Sequence, residues 1–280
     1  MTAQIPPFRY RSIWISDIHL GTRGCQAERL LDFLRITESS RLYLVGDIID
    51  GWRLRRSWYW PQTHNDVVQK LLRKARKGTR VIFIPGNHDE FARGYRGVSF
   101  GGIEIARDIV HETADGRKLL VLHGDQFDVV VLYARWLAFV GDWAYNLALV
   151  LNRWVNRIRR AMGYPYWSLS AYLKLKVKNA VKYIAEFEEA LAAVAREREV
   201  DGVVCGHIHH AEIRDIDGIL YCNDGDWVES CTAMVEHLDG RLEILQWMPD
   251  GHPKSIRAIP PRHAAAPATR AIETVCASSS

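Results

Sequence analysis

Leu42-Tyr43-Leu44-Val45-Gly46-Asp47-Ile48-Ile49-Asp50 is a short apolar run that stops at once in a glycine and a carboxylate. An unbroken run of this kind suits a strand buried on both faces, as in a parallel sheet. The same phrase recurs on both sides. Upstream, Ser12-Ile13-Trp14-Ile15-Ser16 ends in Asp17-Ile18-His19; downstream, Val81-Ile82-Phe83-Ile84 ends in Pro85-Gly86-Asn87-His88-Asp89. Further on, Leu119-Leu120-Val121-Leu122 precedes His123-Gly124-Asp125, and Gly202-Val203-Val204-Cys205 precedes Gly206-His207-Ile208-His209. Helical patterns separate the early phrases at Ala27 to Leu34 and Asp66 to Lys77, the second with Val67, Val68, Leu71, Leu72 and Ala75 on one stripe. Strand, helix, strand predicts parallel pairing in an α/β fold. In an open α/β sheet, ligands bind beyond the carboxyl ends of the strands, where all five turns would then lie.

The chain has 280 residues, 48% hydrophobic and 25% charged, which suits one large globular domain with an insertion and excludes disordered or disulfide-stapled classes. Five scattered cysteines with no Cys-x-x-Cys pair fit a reducing compartment. Met1 to Arg11 lacks the apolar core of a secretory signal, so the expected location is cytoplasmic. The apolar stretch Val129 to Asn152 is interrupted by Arg135 and Asp142 and is too broken to span a bilayer.

Beyond His210 the texture changes to alternating strands with turns at Asp217-Gly218 and Asp239-Gly240, which predicts an antiparallel meander. Residues 129–199 are mostly helical and interrupt the strand-end phrases, so they read as a cap inserted in a main domain of residues 1–250. Residues 251–280, rich in Pro, Ala and Ser, read as a poorly ordered tail. Net charge is +4, yet Trp143 to Ala185 holds only basic charges, among them Arg153, Arg157, Arg160, Lys174 and Lys178, interleaved with Trp154, Tyr164, Trp167 and Tyr172. A helical hairpin with an aromatic core is one reading. The unbalanced charge favours another, contact with an anionic membrane surface from its cytoplasmic side. No nucleic-acid motif is present.

Asp17, His19, Asp47, Asn87, His123, His207 and His209 form an oxygen and nitrogen donor set without thiolate, which suits Mn²⁺, Fe or Zn²⁺. Residues two apart at a strand end, as in Asp17-x-His19 and His207-x-His209, can turn toward one centre. A pair of ions needs a bridging ligand, and the carboxylate of Asp47 is the candidate. A lone histidine is more often a hydrogen-bonded core residue, and His64, His111 and His210 keep that reading.

These blocks, D-x-H, G-D-x-x-D, G-N-H-D, H-G-D and G-H-x-H in order, resemble the calcineurin-like metallophosphoesterases across residues 8 to 250. The resemblance implies a four-layer sandwich, two mixed sheets flanked by helices, and a metal-dependent hydrolase of phosphate esters. It implies one ion on Asp17, His19, Asp47 and His209, and another on Asp47, Asn87, His123 and His207, with Mn²⁺ the first expectation. It places His88 beside the leaving group as a catalytic acid with Asp89 orienting its ring, and Asp50 and Asp125 behind the ligands. Ser16-Asp17-Ile18-His19-Leu20-Gly21, Gly51-Trp52 and Gly225-Asp226-Trp227 are similar to the UDP-2,3-diacylglucosamine diphosphatase branch, which releases UMP and an acylated sugar phosphate. That likeness implies substrate contacts at Asn87, His207, Asp128 and Tyr133, with Arg53 as a candidate anion contact. His88 departs from the branch, which carries Arg there. Hydrolysis of another lipid or nucleotide ester, or a binding scaffold with an idle site, are the alternatives.

Overall fold

The computed structural model describes residues 7–127 and 184–262. Two sheets pack face to face. In the first lie β1 (Phe8–Ile15), β2 (Thr37–Val45), β3 (Arg80–Ile84), β4 (Ser99–Phe100), β5 (Ile103–Ile105), β11 (Thr232–Glu236), β12 (Leu242–Trp247) and β13 (Pro253–Ile259). Its order is β13-β12-β11-β1-β2-β3-β5-β4. The second takes β6 (Ile109–Glu112), β7 (Lys118–Val121), β8 (Gly202–Cys205), β9 (Glu212–Ile216) and β10 (Ile219–Asn223) in the order β6-β7-β8-β10-β9. β1, β2, β3 and β5 run parallel, as do β7, β8 and β10, while the remaining pairs are antiparallel.

The period of two along each strand builds the layers. On β1 and β2, Ile13, Ile15, Leu42 and Leu44 face one core, where they meet Leu30, Phe33 and Leu34 of α1 (Ala27–Ile36) and Val67 and Leu71 of α3 (Gln62–Arg76). Their neighbours Trp14, Tyr43 and Val45 face the other way and pack against Leu119, Val121 and Val204 of the second sheet. The outer face of that sheet, with Leu120, Val203 and Cys205, is covered by Phe187, Leu191, Ala192 and Ala195 of a helix, α4, described over residues 184–197. Helix, sheet, sheet, helix gives the four layers expected.

Three expectations change. β9 and β10 form a hairpin in the second sheet whereas β11 and β12 belong to the first, so the chain crosses layers instead of continuing one meander. The Asp217-Gly218 turn, both residues at positive φ, fits a two-residue hairpin and carries no information about which sheet it joins. Residues 253–259, assigned to the tail, pair antiparallel with β12 and cover its otherwise open edge. Residues 184–197, assigned to the cap, instead form the outer layer over the second sheet. The rest of the cap, with Asp128, Tyr133 and the basic aromatic stretch, lies outside the described residues.

Candidate metal centre

The carboxyl ends of β1, β2, β3, β7 and β8 converge, and the five turns leave them with unusual backbones. Asp17, His19, Asp47, His207 and His209 have φ of 49°, 54°, 54°, 71° and 52°. The left-handed region is unfavourable for residues with a Cβ, by about 1–3 kcal/mol each. It persists because the loops are stitched together: Asp17 N donates to Gly46 O at 3.0 Å, His19 N to Asp47 O at 2.9 Å, and Asp50 N to Leu20 O at 2.8 Å. Three glycines allow the close approach. A Cβ on Gly46 would collide with the His123 ring, one on Gly86 with Asp47 and His123, and one on Gly206 with Ser16 and Asp17.

Asp47 is central. Its Oδ1 accepts the backbone N–H of His88 at 2.8 Å and lies 3.5 Å from His123 Nε2, while its Oδ2 lies 3.9 Å from both His19 Nε2 and His88 Nε2. Asp17 Oδ2 accepts the backbone N–H of His207 at 2.8 Å, which leaves Oδ1 facing His209 Nε2 at 3.2 Å. Among the described residues, three groups thus offer ligand atoms within reach of one ion: Asp17, His19 and His209; His19, Asp47 and His88; and Asp47, His123 and His207. Asp47 belongs to two of them.

The surroundings fix the rings. His123 Nδ1 donates to Val45 O at 2.8 Å, so its Nε2 is presented toward Asp47. Asp50, nearly buried, faces His19 Nδ1 at 3.3 Å through one oxygen and His88 Nδ1 at 3.1 Å through the other. Asp89 therefore does not orient His88. Fully buried, it accepts backbone N–H groups from Gly86 at 2.6 Å, Ile48 at 2.7 Å, and Asp47 and Ile49 at 3.3 Å, which locks the β2 and β3 loops together. The inward carboxylate satisfies four buried backbone donors at once.

Buried polar atoms seldom lack a hydrogen bond, yet Asp17 Oδ1, Asn87 Oδ1 and His123 Nε2 make none of good geometry, Asp17 Oδ1 and His123 Nε2 having ion-pair contacts alone, the closest to His209 and Asp47. All three belong to the expected donor set, Asp17 in one residue group and His123 in another, and a pair of divalent cations would satisfy them. Charge points the same way. Burial opposes ionisation of Asp47, but the charges of His123, His88 and His19 outweigh it and hold its carboxyl below the usual range. Burial also opposes protonation of His123, yet Asp47, Asp17 and Asp125 push it up to about 10. The pocket draws in positive charge.

Other predicted residues fall apart from this cluster. Arg53 is exposed on α2 (Gly51–Arg56), its backbone N–H capped by Asp50 at 2.8 Å and its guanidinium in no hydrogen bond or ion pair among the described residues. Asp125 pairs with Arg93 at 2.6 Å. His64 accepts from Gly21 N and His111 lies in a buried network, so both keep their structural reading. Sequence reasoning gave no role to Trp52, whose ring sits 4.4 Å from His88, and passed over Asn223, whose amide donates to Gly206 O at 2.7 Å and steadies the His207 turn. It also passed over Asp224, buried behind the site with Ser16 Oγ donating to it at 2.6 Å; burial, with the charge of Asp17, pushes its carboxyl well above the usual range. Only a polar run at the end of β10 hinted at these last two.

Comparison with known proteins agrees with the geometry. The calcineurin-like phosphoesterase family model matches residues 10–211. A UDP-2,3-diacylglucosamine hydrolase of Xanthomonas campestris pv. campestris is 27% identical over 241 residues, 82% of this chain and 96% of its own. One of Azotobacter vinelandii is 31% identical over 212 residues, 73% of this chain and 84% of its own. Among solved structures, the E. coli phosphoesterase Yfce is 14% identical with a TM-score of 0.48, covering 90% of this chain and 99% of that one. With its family model spanning most of the chain and its strand-end turns gathered around Asp47, this chain belongs to the calcineurin-like phosphoesterases and is a metal-dependent phosphoesterase.

Proposed function

We propose that the chain hydrolyses the diphosphate of UDP-2,3-diacylglucosamine or a similar nucleotide-linked or acylated lipid, releasing UMP and a lipid phosphate. The placement of Asp47 carries this reading, with one carboxylate oxygen toward His123 and the other toward His19. Asp17, His19, Asp47 and His209 would hold one ion, and Asp47, Asn87, His123 and His207 the other. Such ions, Mn²⁺ before Fe or Zn²⁺, supply Lewis-acid charge and lower the pKa of bound water.

The side chains do the rest. Asp50 keeps the His88 ring turned so that Nε2 faces the cluster, where a protonated imidazole can donate to the leaving oxygen. His207 lines the same cluster, and it and Asn87 would also touch substrate. The names of the two bacterial relatives support the lipid diphosphate. His88, standing where that branch carries Arg, favours a second reading, hydrolysis of another lipid or nucleotide ester.

Approach to a membrane surface from the cytoplasmic side is part of the proposal. None of the described helices is long and apolar enough to cross a bilayer. Beside His88, Trp52, Arg53, Arg55, Arg56 and Trp58 are exposed together, a mixture suited to an anionic interface. Flotation with anionic vesicles should show binding that weakens as salt rises; absence of binding at low salt contradicts this part. The enzymatic test is UMP release from UDP-2,3-diacylglucosamine with Mn²⁺, beside simple aryl mono- and diesters. Release of UMP at a rate well above aryl ester turnover is expected. Turnover of aryl esters alone would favour the second reading.

A further inference from the structure

Beside the cluster lies a recess of ≈ 310 Å³ that shares His123 with it. That volume is at the small end of ligand pockets, enough for a phosphate and part of its ester. Three arginines, Arg93, Arg96 and Arg107, line the recess. Arg93 is fixed by Asp125 at 2.6 Å and by Pro85 O at 3.3 Å. Arg96 Nε donates to Arg93 O at 3.1 Å and has no acidic partner among the described residues. Arg107 lies 3.7 Å from Asp108, which Arg198 approaches at 3.5 Å from another side. One carboxylate inside the recess therefore faces three cations, and the surplus is positive.

The recess and the cluster are adjacent because His123 belongs to both, with Gly124 leading directly to Asp125. A substrate with a single anionic group has that group engaged at the cluster and gives the arginines nothing to bind. A diphosphate carries a second anion one bridging oxygen away. Arginine suits it, since the planar guanidinium matches phosphate oxygens two at a time.

We infer that Arg93, Arg96 and Arg107 form an anion subsite that receives the second phosphate of a diphosphate substrate while the scissile phosphoryl group occupies the cluster. This deepens the proposed function and rests on it for the phosphate at the cluster. Arg93 is the anchored member, Arg96 supplies charge with no acidic partner among the described residues, and Arg107, at 3.7 Å from Asp108, adds a loosely paired one.

Calorimetric titration of the full-length, Mn²⁺-loaded protein with UMP and with uridine 5′-(α,β-methylene)diphosphate tests the subsite directly. The native chain should bind the two-phosphate analogue at least about tenfold more tightly, the effect of one or two added charge-assisted hydrogen bonds. Arg96→Gln with Arg107→Gln should bring that ratio down to about threefold or less, with UMP affinity falling far less than that of the analogue. Both side chains are exposed, so the double variant should fold, which circular dichroism checks. Equal binding of the two ligands by the native chain, or a ratio the double variant leaves unchanged, overturns the subsite. The lipid reading fails separately: if UDP-2,3-diacylglucosamine is not cleaved while the ratio behaves as described, the recess still selects a diphosphate and the lipid assignment is wrong.

Discussion

Asp50 touches two imidazoles at once, and its role separates positioning from chemistry. With one oxygen toward His19 and the other toward His88, it fixes a candidate ligand and a candidate acid together. Asp50→Asn should lower kcat by about 10–100-fold and weaken metal binding, as loss of a carboxylate behind a ligand does elsewhere. His88→Ala should lower kcat by about 10²–10⁴ and leave both ions in place, measured by metal analysis beside turnover. Loss of an ion in that variant would mean that His88 is a ligand, which its 3.9 Å separation from Asp47 Oδ2 permits. The donor set was legible because each member sits in a short block at the end of an apolar run. The work of Asp89 was not, because its four backbone donors come from two different loops whose proximity exists only after folding.

Elements carry the site through their ends. Each contributing strand stops in a turn whose backbone is left-handed or whose glycine lets a neighbouring ligand come close, so ligand geometry depends on turns as much as on side chains. Gly86→Ala tests this: a methyl group there meets Asp47 Oδ1 and His123 Nε2. Metal affinity should fall about tenfold or more while far-ultraviolet circular dichroism stays native, since the clash is confined to the rim of the fold. Native metal affinity in that variant would show that the turns are softer than the packing implies. Strand positions followed from period-two patterning, and every phrase ending found its strand. β13 escaped notice because it is an edge strand with mostly exposed side chains, so it lacks the apolar signal that marks a buried one. The destination of the β9–β10 hairpin escaped too, since turn chemistry fixes local pairing and leaves layer choice to the core.

At the scale of the whole molecule, the two sheets are held by an apolar interface and by one buried polar strut. His111 on β6 bridges Tyr43 Oη on β2 at 2.8 Å and Glu236 on β11 at 2.9 Å, and Glu236 also accepts from Ser12 and from the backbone of Ala114, both at 2.7 Å. Burial holds His111 below its ordinary 6.5; Glu236, despite burial, is held below its ordinary 4.5 by hydrogen bonds from His111 and Ser12. Both values are depressed, so the unfolded chain takes up these protons first. Stability from the strut is complete above about pH 6.5 and is lost as pH falls through that value and then below 4.5. His111→Leu takes away the partner of Tyr43 Oη and one of the partners of Glu236, which keeps Ser12, Ala114 and Arg11, and should destabilise the chain by about 1–3 kcal/mol at neutral pH, a fall in Tm of roughly 2–12 °C, with a shallower acid slope. An unchanged Tm would remove the strut from the account. The proposed chemistry depends on a pair of ions held about Asp47. The direct measurement is anomalous diffraction at the manganese edge from crystals grown with Mn²⁺. Two peaks about 3.5–4 Å apart, with one oxygen of Asp47 toward each, are predicted. A single peak, or peaks remote from Asp47, would contradict it.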